Sequence, residues 1–262
     1  MRHLALALIA TAGIAVGTSP VSAADLSPYP APYRPPVGPY AVPLAVNWTG
    51  FYVGAHLGGA WSSLDMTDVG NGGIAFAFAG TPGQIFSASP NGLMYGGQAG
   101  FNYQVGSMVF GIEGDVGGMN LDGRALDPGT ASNTTVGIGN GPYADITGRF
   151  GVTFDRALIY AKGGWGWFGG NETFSTTTPA FISNSHVGTF SGWVLGGGIE
   201  YALWRPNWSA KLEYLHYDFD AQTFNTQTIA GTFPFREKLT VDTVKVGVNY
   251  RFGVGGPVIA RY

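Results

Sequence analysis

After residue 47 the chain alternates apolar and polar positions with a period of two, in stretches that end at turn signals. Residues 143–154 set Ala144, Ile146, Gly148, Phe150, Val152 and Phe154 against Asp145, Thr147, Arg149, Gly151 and Thr153. After Asp155-Arg156, Ala157, Ile159, Ala161, Gly163, Trp165 and Trp167 alternate with Leu158, Tyr160, Lys162 and Gly164. This period predicts two half-polar strands in a tight hairpin. The unit recurs over residues 48–61, 93–105, 108–121, 190–203, 208–219 and 237–252. Eight strands result. Gly106-Ser107, Asp155-Arg156 and residues 204–207 are short turns, and the other four connections are long.

Short turns on one rim and long loops on the other predict an all-β fold: an eight-stranded antiparallel up-and-down transmembrane β-barrel with short periplasmic turns and long extracellular loops. Composition points the same way. Only 11% of residues are charged, against about 25% in soluble domains. No apolar run after the N-terminus approaches the roughly 20 residues of a membrane helix. A secreted glycine-rich sandwich, or a soluble barrel with its apolar face inward, is the competing architecture.

Two residue sets favour an apolar exterior. The polar face carries a balanced set of charges: Glu113, Asp115, Asp145, Glu200 and Glu213 against Arg149, Lys162, Lys211, Lys245 and Arg251. Such charges can pair across a narrow lumen, where an unpaired one is costly. Aromatic residues collect at strand ends. Trp48, Phe51, Phe154, Tyr201, Trp204, Trp208, Tyr250 and Phe252 mark the short-turn rim; Trp61, Trp165, Trp167, Phe168 and Phe219 mark the long-loop rim. Two girdles around an apolar band are what a bilayer selects. With eight strands the interior is just wide enough for side chains to fill, so an open pore is not expected.

The ends read differently. Residues 1–23 have a short polar start, an apolar core over 4–16 and Val21-Ser22-Ala23 before the cut, which reads as a secretory signal; cleavage after Ala24 fits as well. Residues 24–46 are proline-rich and read as an extended periplasmic segment. The barrel covers 47–252, and 253–262 form a C-terminal extension.

The candidate chemistry is sparse. A net charge of −3 argues against nucleic acid, and zero cysteines exclude disulfides and thiolate sites. His56 shares the lumen face with acids on other strands and reads as a hydrogen-bonding residue rather than a catalytic base. His216 falls on the face opposite Lys211 and Glu213, near the long-loop rim. Asp65, Asp68, Asp122 and Asp127 lack calcium-loop spacing. No catalytic, cofactor-binding or metal-binding residue is assigned.

The segments WTGFYVGAHLGGAW, TGRFGVTFDRALIYAKGGWGWF, KLEYLHYDF and VKVGVNYRF together resemble the opacity-type, porin-family β-barrels, and within them the small outer-membrane surface proteins of alphaproteobacteria. The resemblance covers 47–252. It implies a barrel in the bacterial outer membrane, in contact with outer-membrane lipid, inserted by the barrel-assembly machinery and offering its loops to an extracellular ligand. Such barrels often end on an aromatic read by that machinery, whereas here Arg251-Phe252 is followed by GVGGPVIARY. The leading functional expectation is a structural or surface-interaction role. A narrow channel for small solutes or ions comes second, and an outer-membrane enzyme third.

Overall fold

The computed structural model describes residues 46–69, 85–126, 135–175, 185–205, 207–228 and 231–252. The signal segment, all but Val46 of the proline-rich segment, and the extension after Phe252 lie outside the described residues.

Eleven strands are described: β1 Gly50–Asp68, β2 Ile85–Ala88, β3 Asn91–Val105, β4 Met108–Leu126, β5 Thr135–Ile138, β6 Gly141–Phe154, β7 Ala157–Ser175, β8 Ser185–Ala202, β9 Trp208–Phe219, β10 Gln222–Thr228 and β11 Gly231–Arg251. All pair antiparallel, and β1 pairs with β11, so the sheet closes. Eight strands make the closed wall: β1, β3, β4, β6, β7, β8, β9 and β11. Closure leaves no sheet edge in this wall, the condition for a sheet to cross lipid.

The register sets the geometry. Val53 lies opposite Ala99, and the path continues through Gly114, Ile146, Trp165, Trp193, Asp218 and Thr240 back to β1 at Ser63. One circuit therefore climbs from position 53 to 63, about ten residues of shear. Ten residues at about 3.3 Å over eight spacings of about 4.8 Å give a strand tilt of about 40°.

Three strands of the wall continue as separate short pieces, and the long connections are more ordered than the sequence suggests. β2 extends β3 along β1 in one register, broken at Ser89-Pro90. Proline has no N–H for the ladder, and Ser62 caps the break by donating both its N–H and its hydroxyl to the Pro90 carbonyl at 2.8 Å. β5 extends β6 between β4 and β7, and β10 extends β9 and folds back on β11 as a hairpin. The expected loop starts at residues 62, 122 and 169, and residues 222–228 and 231–236 of the expected loop over 220–236, are thus corrected to strand. Their alternation is weak because Gly, Ser and Thr fill it.

Two of the short turns carry the backbone that hairpins need. Gly106 has φ +61°, and Asp155, with φ 52°, is the one non-glycine at positive φ among the described residues. Two-residue hairpins favour positive φ at the first turn position, and Asp tolerates it better than most side chains.

Outward and inward faces change character along each strand. On β1, Phe51, Val53, Leu57 and Trp61 face out, followed by Ser63 and Asp65; facing in, Tyr52 and His56 give way to Ala60, Leu64 and Met66. On β11, Val248, Val246 and Val244 face out before Asp242, Thr240 and Lys238, while Asn249 and Lys245 face in before Val241 and Leu239. The lower part is apolar outside and polar inside; the upper part is the reverse, as in a barrel standing in water. From Phe51 to Trp61, ten steps at about 3.3 Å and about 40° tilt make a band about 25 Å tall, the height of an outer-membrane barrel's apolar belt.

Candidate functional site

The interior of the lower barrel is the one large concentration of polar chemistry among the described residues. All ten charged residues named for the lumen are buried there: Glu113, Asp115, Asp145, Arg149, Lys162, Glu200, Lys211, Glu213, Lys245 and Arg251. The inward parity of β4, β6, β7, β8, β9 and β11 delivers them from six strands to the lumen.

Eight of the ten form a connected net. Lys162 Nζ donates to Glu113 Oε1 at 2.5 Å and lies 3.3 Å from both Asp115 Oδ2 and Glu213 Oε1. Lys211 Nζ donates to Glu113 Oε1 at 3.0 Å. Lys245 Nζ joins Asp115 Oδ1 at 2.9 Å and Glu213 Oε1 at 3.0 Å. Arg149 Nη2 donates to Glu200 Oε2 at 2.9 Å, and its guanidinium lies 3.9 Å from the centre of the Tyr160 ring. Asp145 stands apart from these ion pairs. It lies directly across the β4–β6 ladder from Asp115, takes the Tyr217 hydroxyl at 2.8 Å on Oδ2, and makes no ion pair among the described residues. Arg251 sits lower, its guanidinium 4.5 Å from the centre of the Trp48 ring and Nη1 donating to the Asn47 carbonyl at 3.0 Å.

Further residues complete the net, and of these only His56 was singled out from the sequence. The Tyr52 hydroxyl donates to Glu113 Oε2 and the Tyr160 hydroxyl to Glu213 Oε2, both at 2.6 Å. Ser209 and Asn249 donate to Glu200 Oε1 at 2.5 and 2.8 Å. His56 shares Nδ1 with Gln98 Oε1 at 2.6 Å, and its Nε2 meets the Tyr143 hydroxyl. A signal for the tyrosines exists: Tyr52, Tyr143 and Tyr160 each stand directly opposite a glycine on the next strand, Gly100, Gly117 and Gly198. A Cβ on Gly100 would lie 2.4 Å from the Tyr52 hydroxyl oxygen, so the ring needs the bare backbone to reach the net.

Apolar layers close the net above and below. Above it, Met94, Met119, Leu121, Phe168, Phe190, Val194, Leu215, Phe219, Leu239 and Val241 pack as one buried cluster. Below it lie Trp48, Val109, Leu158, Tyr160 and Ala202, with Val46 against them. Residues 46–49 run into the short-turn mouth, where the Trp48 N–H is taken by Gln104 Oε1 at 2.8 Å.

Three aromatic assignments are corrected by this arrangement. Trp48, Phe168 and Phe219 are fully buried inside the barrel, not on its outer rims. Each has the inward parity of its strand: Trp48 that of Tyr52 and His56, Phe168 that of Lys162, Phe219 that of Glu213. Phe51, Phe154, Tyr201, Trp204, Trp208, Tyr250 and Phe252 face out at the short-turn rim, and Trp61, Trp165 and Trp167 at the other edge of the band. Trp193 joins the upper set, opposite Trp165 in the register and 5.4 Å from the His216 ring. His216 faces out and pairs through Nδ1 with Asp242 at 2.7 Å.

The net can hold charge and fix strand order, and among the described residues an apolar layer covers it on the long-loop side. Comparison with known proteins agrees with the geometry. The family described as outer membrane protein beta-barrel domain matches residues 12–252. The 31 kDa outer-membrane immunogenic protein of Brucella melitensis biotype 1 is 29% identical over 228 residues, covering 83% of this chain and 89% of that protein. The 22 kDa outer membrane protein of Rhizobium leguminosarum bv. viciae is 26% identical over 208 residues, covering 79% of this chain and 80% of that protein. Among solved structures, OprG of Pseudomonas aeruginosa aligns with a TM-score of 0.43 and 10% identity over 79% of this chain and 98% of that one.

Proposed function

Since the chain belongs to the outer membrane protein beta-barrel domain family and is an integral protein of the bacterial outer membrane, we propose that it acts as a closed barrel that anchors and displays its long-loop end, a structural and surface-interaction role without catalysis. One observation carries this reading: the charged lumen is sealed between two apolar layers, with Phe190, Phe168 and Phe219 above and Trp48 below. Water and ions crossing it would have to displace buried aromatic rings and break paired charges together, at a cost of several kcal/mol. The description of the Brucella relative as immunogenic supports exposure of the loop end.

The partners follow from the same reading. Outer-membrane lipid covers the apolar band, the barrel-assembly machinery inserts the closing strand, and an extracellular ligand meets the long-loop end. The test is conductance of refolded protein in planar bilayers. No stable unitary step is expected. Steps of reproducible size would overturn the closed-barrel reading in favour of a narrow channel, and replacing Arg149 or Lys162 would then alter its ion selectivity.

A further inference from the structure

The short-turn rim is uneven. On one side two neighbouring turns are tied together: Arg156 donates through Nη2 to the Leu203 carbonyl, and the Ala202 N–H donates to the Arg156 carbonyl at 2.8 Å. The second turn is closed by Leu203 N–H to the Trp208 carbonyl at 2.9 Å and Trp208 N–H to the Arg205 carbonyl at 3.0 Å. Beside this frame the second turn forms an open surface pocket of about 240 Å³ lined by Leu203, Trp204, Arg205 and Trp208. That is the liquid volume of about eight waters, room for a phosphodiester. Trp204 is 83% exposed, the most exposed of the large apolar side chains described. Arg205 is exposed as well, and the Arg156 guanidinium lies 5.8 Å from the centre of the Tyr201 ring.

We propose that the pocket of Leu203, Trp204, Arg205 and Trp208, with Arg156 bonded to the Leu203 carbonyl beside it, binds the phosphate headgroup of an anionic phospholipid in the periplasmic leaflet. The site lies where the apolar band ends: Phe154, Tyr201 and Trp208 face outward beside it, so the acyl chains of a bound lipid run directly onto the band. Guanidinium groups match phosphate oxygens in pairs, and a guanidinium carries five N–H donors, of which the bond from Arg156 to Leu203 uses one. Asp155 is the one acid on these two turns, against two arginines. The arginines also select among headgroups. Tryptophan faces alone would suit a choline cation, but two guanidinium groups repel it, whereas a phosphatidylglycerol or cardiolipin phosphate has no cation of its own. Tryptophan and arginine together at an interface thus anchor one turn to one class of lipid.

The inference rests on the membrane-inserted reading, with short turns toward the periplasm. The test uses full-length protein refolded in phosphatidylcholine bilayers that contain a minority of lipid brominated near the headgroup end of its acyl chains. The Trp204 signal is read as the difference between wild type and Trp204→Phe. Quenching at least about twofold stronger with brominated phosphatidylglycerol than with brominated phosphatidylcholine supports the site. The preference should vanish in Arg156→Gln/Arg205→Gln and survive in Arg205→Lys, with heat-modifiable gel migration confirming that each variant is folded. Equal quenching by the two lipids in wild type overturns the proposal while leaving the membrane reading intact. A preference that persists in the double glutamine variant overturns it too. Loss of the preference on adding soluble glycerol phosphate would reassign the site to a free phosphate ester. Absence of quenching of the Trp204 signal by either lipid would place this turn away from the bilayer and overturn the proposal as well.

Discussion

Replacing Lys162 by Met tests whether the lumen net holds the barrel together. Lys162 Nζ lies 2.5 Å from Glu113 and 3.3 Å from Asp115 and Glu213, all buried. Breaking a buried pair by removing one partner costs about 3–5 kcal/mol, because a charge is left without compensation. Here each acid keeps another cation: Glu113 has Lys211 at 3.0 Å, and Asp115 and Glu213 have Lys245 at 2.9 and 3.0 Å. The loss should therefore lie at the low end, about 3 kcal/mol, or roughly a 150-fold shift in the folding equilibrium. The control is Lys238→Met. Lys238 pairs with Asp218 on the outer surface above the band, where such a pair is worth at most about 1 kcal/mol. The assay is urea unfolding of protein in lipid vesicles, followed by tryptophan emission. Adding Glu113→Gln to Lys162→Met should recover at least about 1 kcal/mol, since it removes one negative charge from a net left with one cation too few. If Lys162→Met and Lys238→Met both stay within about 1 kcal/mol of wild type, the net is ornamental and the argument fails.

Three further predictions use the same unfolding assay. Phe219→Ala, which removes a ring packed against Tyr217, Phe190 and Phe168 at centroid distances of 5.9, 6.3 and 6.5 Å, should cost about 3–5 kcal/mol; a loss below about 1 kcal/mol would mean the upper layer is loosely packed. Val246→Arg, on the lipid face within the band, should cost about 2–4 kcal/mol, and Thr240→Arg, three outward positions higher, at most about 1 kcal/mol; equal costs would contradict the placement of the band. Gly100→Ala, whose new Cβ would lie 2.4 Å from the Tyr52 hydroxyl oxygen, should cost about 1–3 kcal/mol, and a neutral result would show that Tyr52 reaches Glu113 by another route.

The wall of the barrel was legible because lipid outside and paired charge inside impose opposite demands on alternate residues. Phe150 and Arg149, or Val246 and Lys245, can be sorted by parity alone. Parity also held the information that Trp48, Phe168 and Phe219 point inward; rim position overrode it, since an aromatic near a strand end suits either a girdle or a plug. The strands above the band were hidden for a related reason. In water on the outside, Ser63, Asp65 and Thr67 look like loop residues, and only their partners across the ladder, Ser63 with Thr240 and Leu64 with Leu239, reveal the wall. The pairing of Lys162 with Glu113 was not readable at all. The two residues sit on β7 and β4, with β6 between them, and meet across the lumen only once closure and register are set.

The reversal of faces along β1 and β11 has a consequence for the cell surface. Beyond Trp61 the wall of β1 runs on to Asp68, seven more residues, and that of β7 from Trp167 to Ser175, eight more. At about 3.3 Å per residue and about 40° tilt, the described wall reaches about 20 Å beyond the band. This upper section is in effect a small water-soluble β-protein mounted coaxially on a membrane one, with its own greasy centre from Leu64 to Leu239. A substitution in this section is therefore judged by the rules of a water-standing sheet, polar outside and apolar inside, and leaves untouched the part of the chain that must satisfy the bilayer.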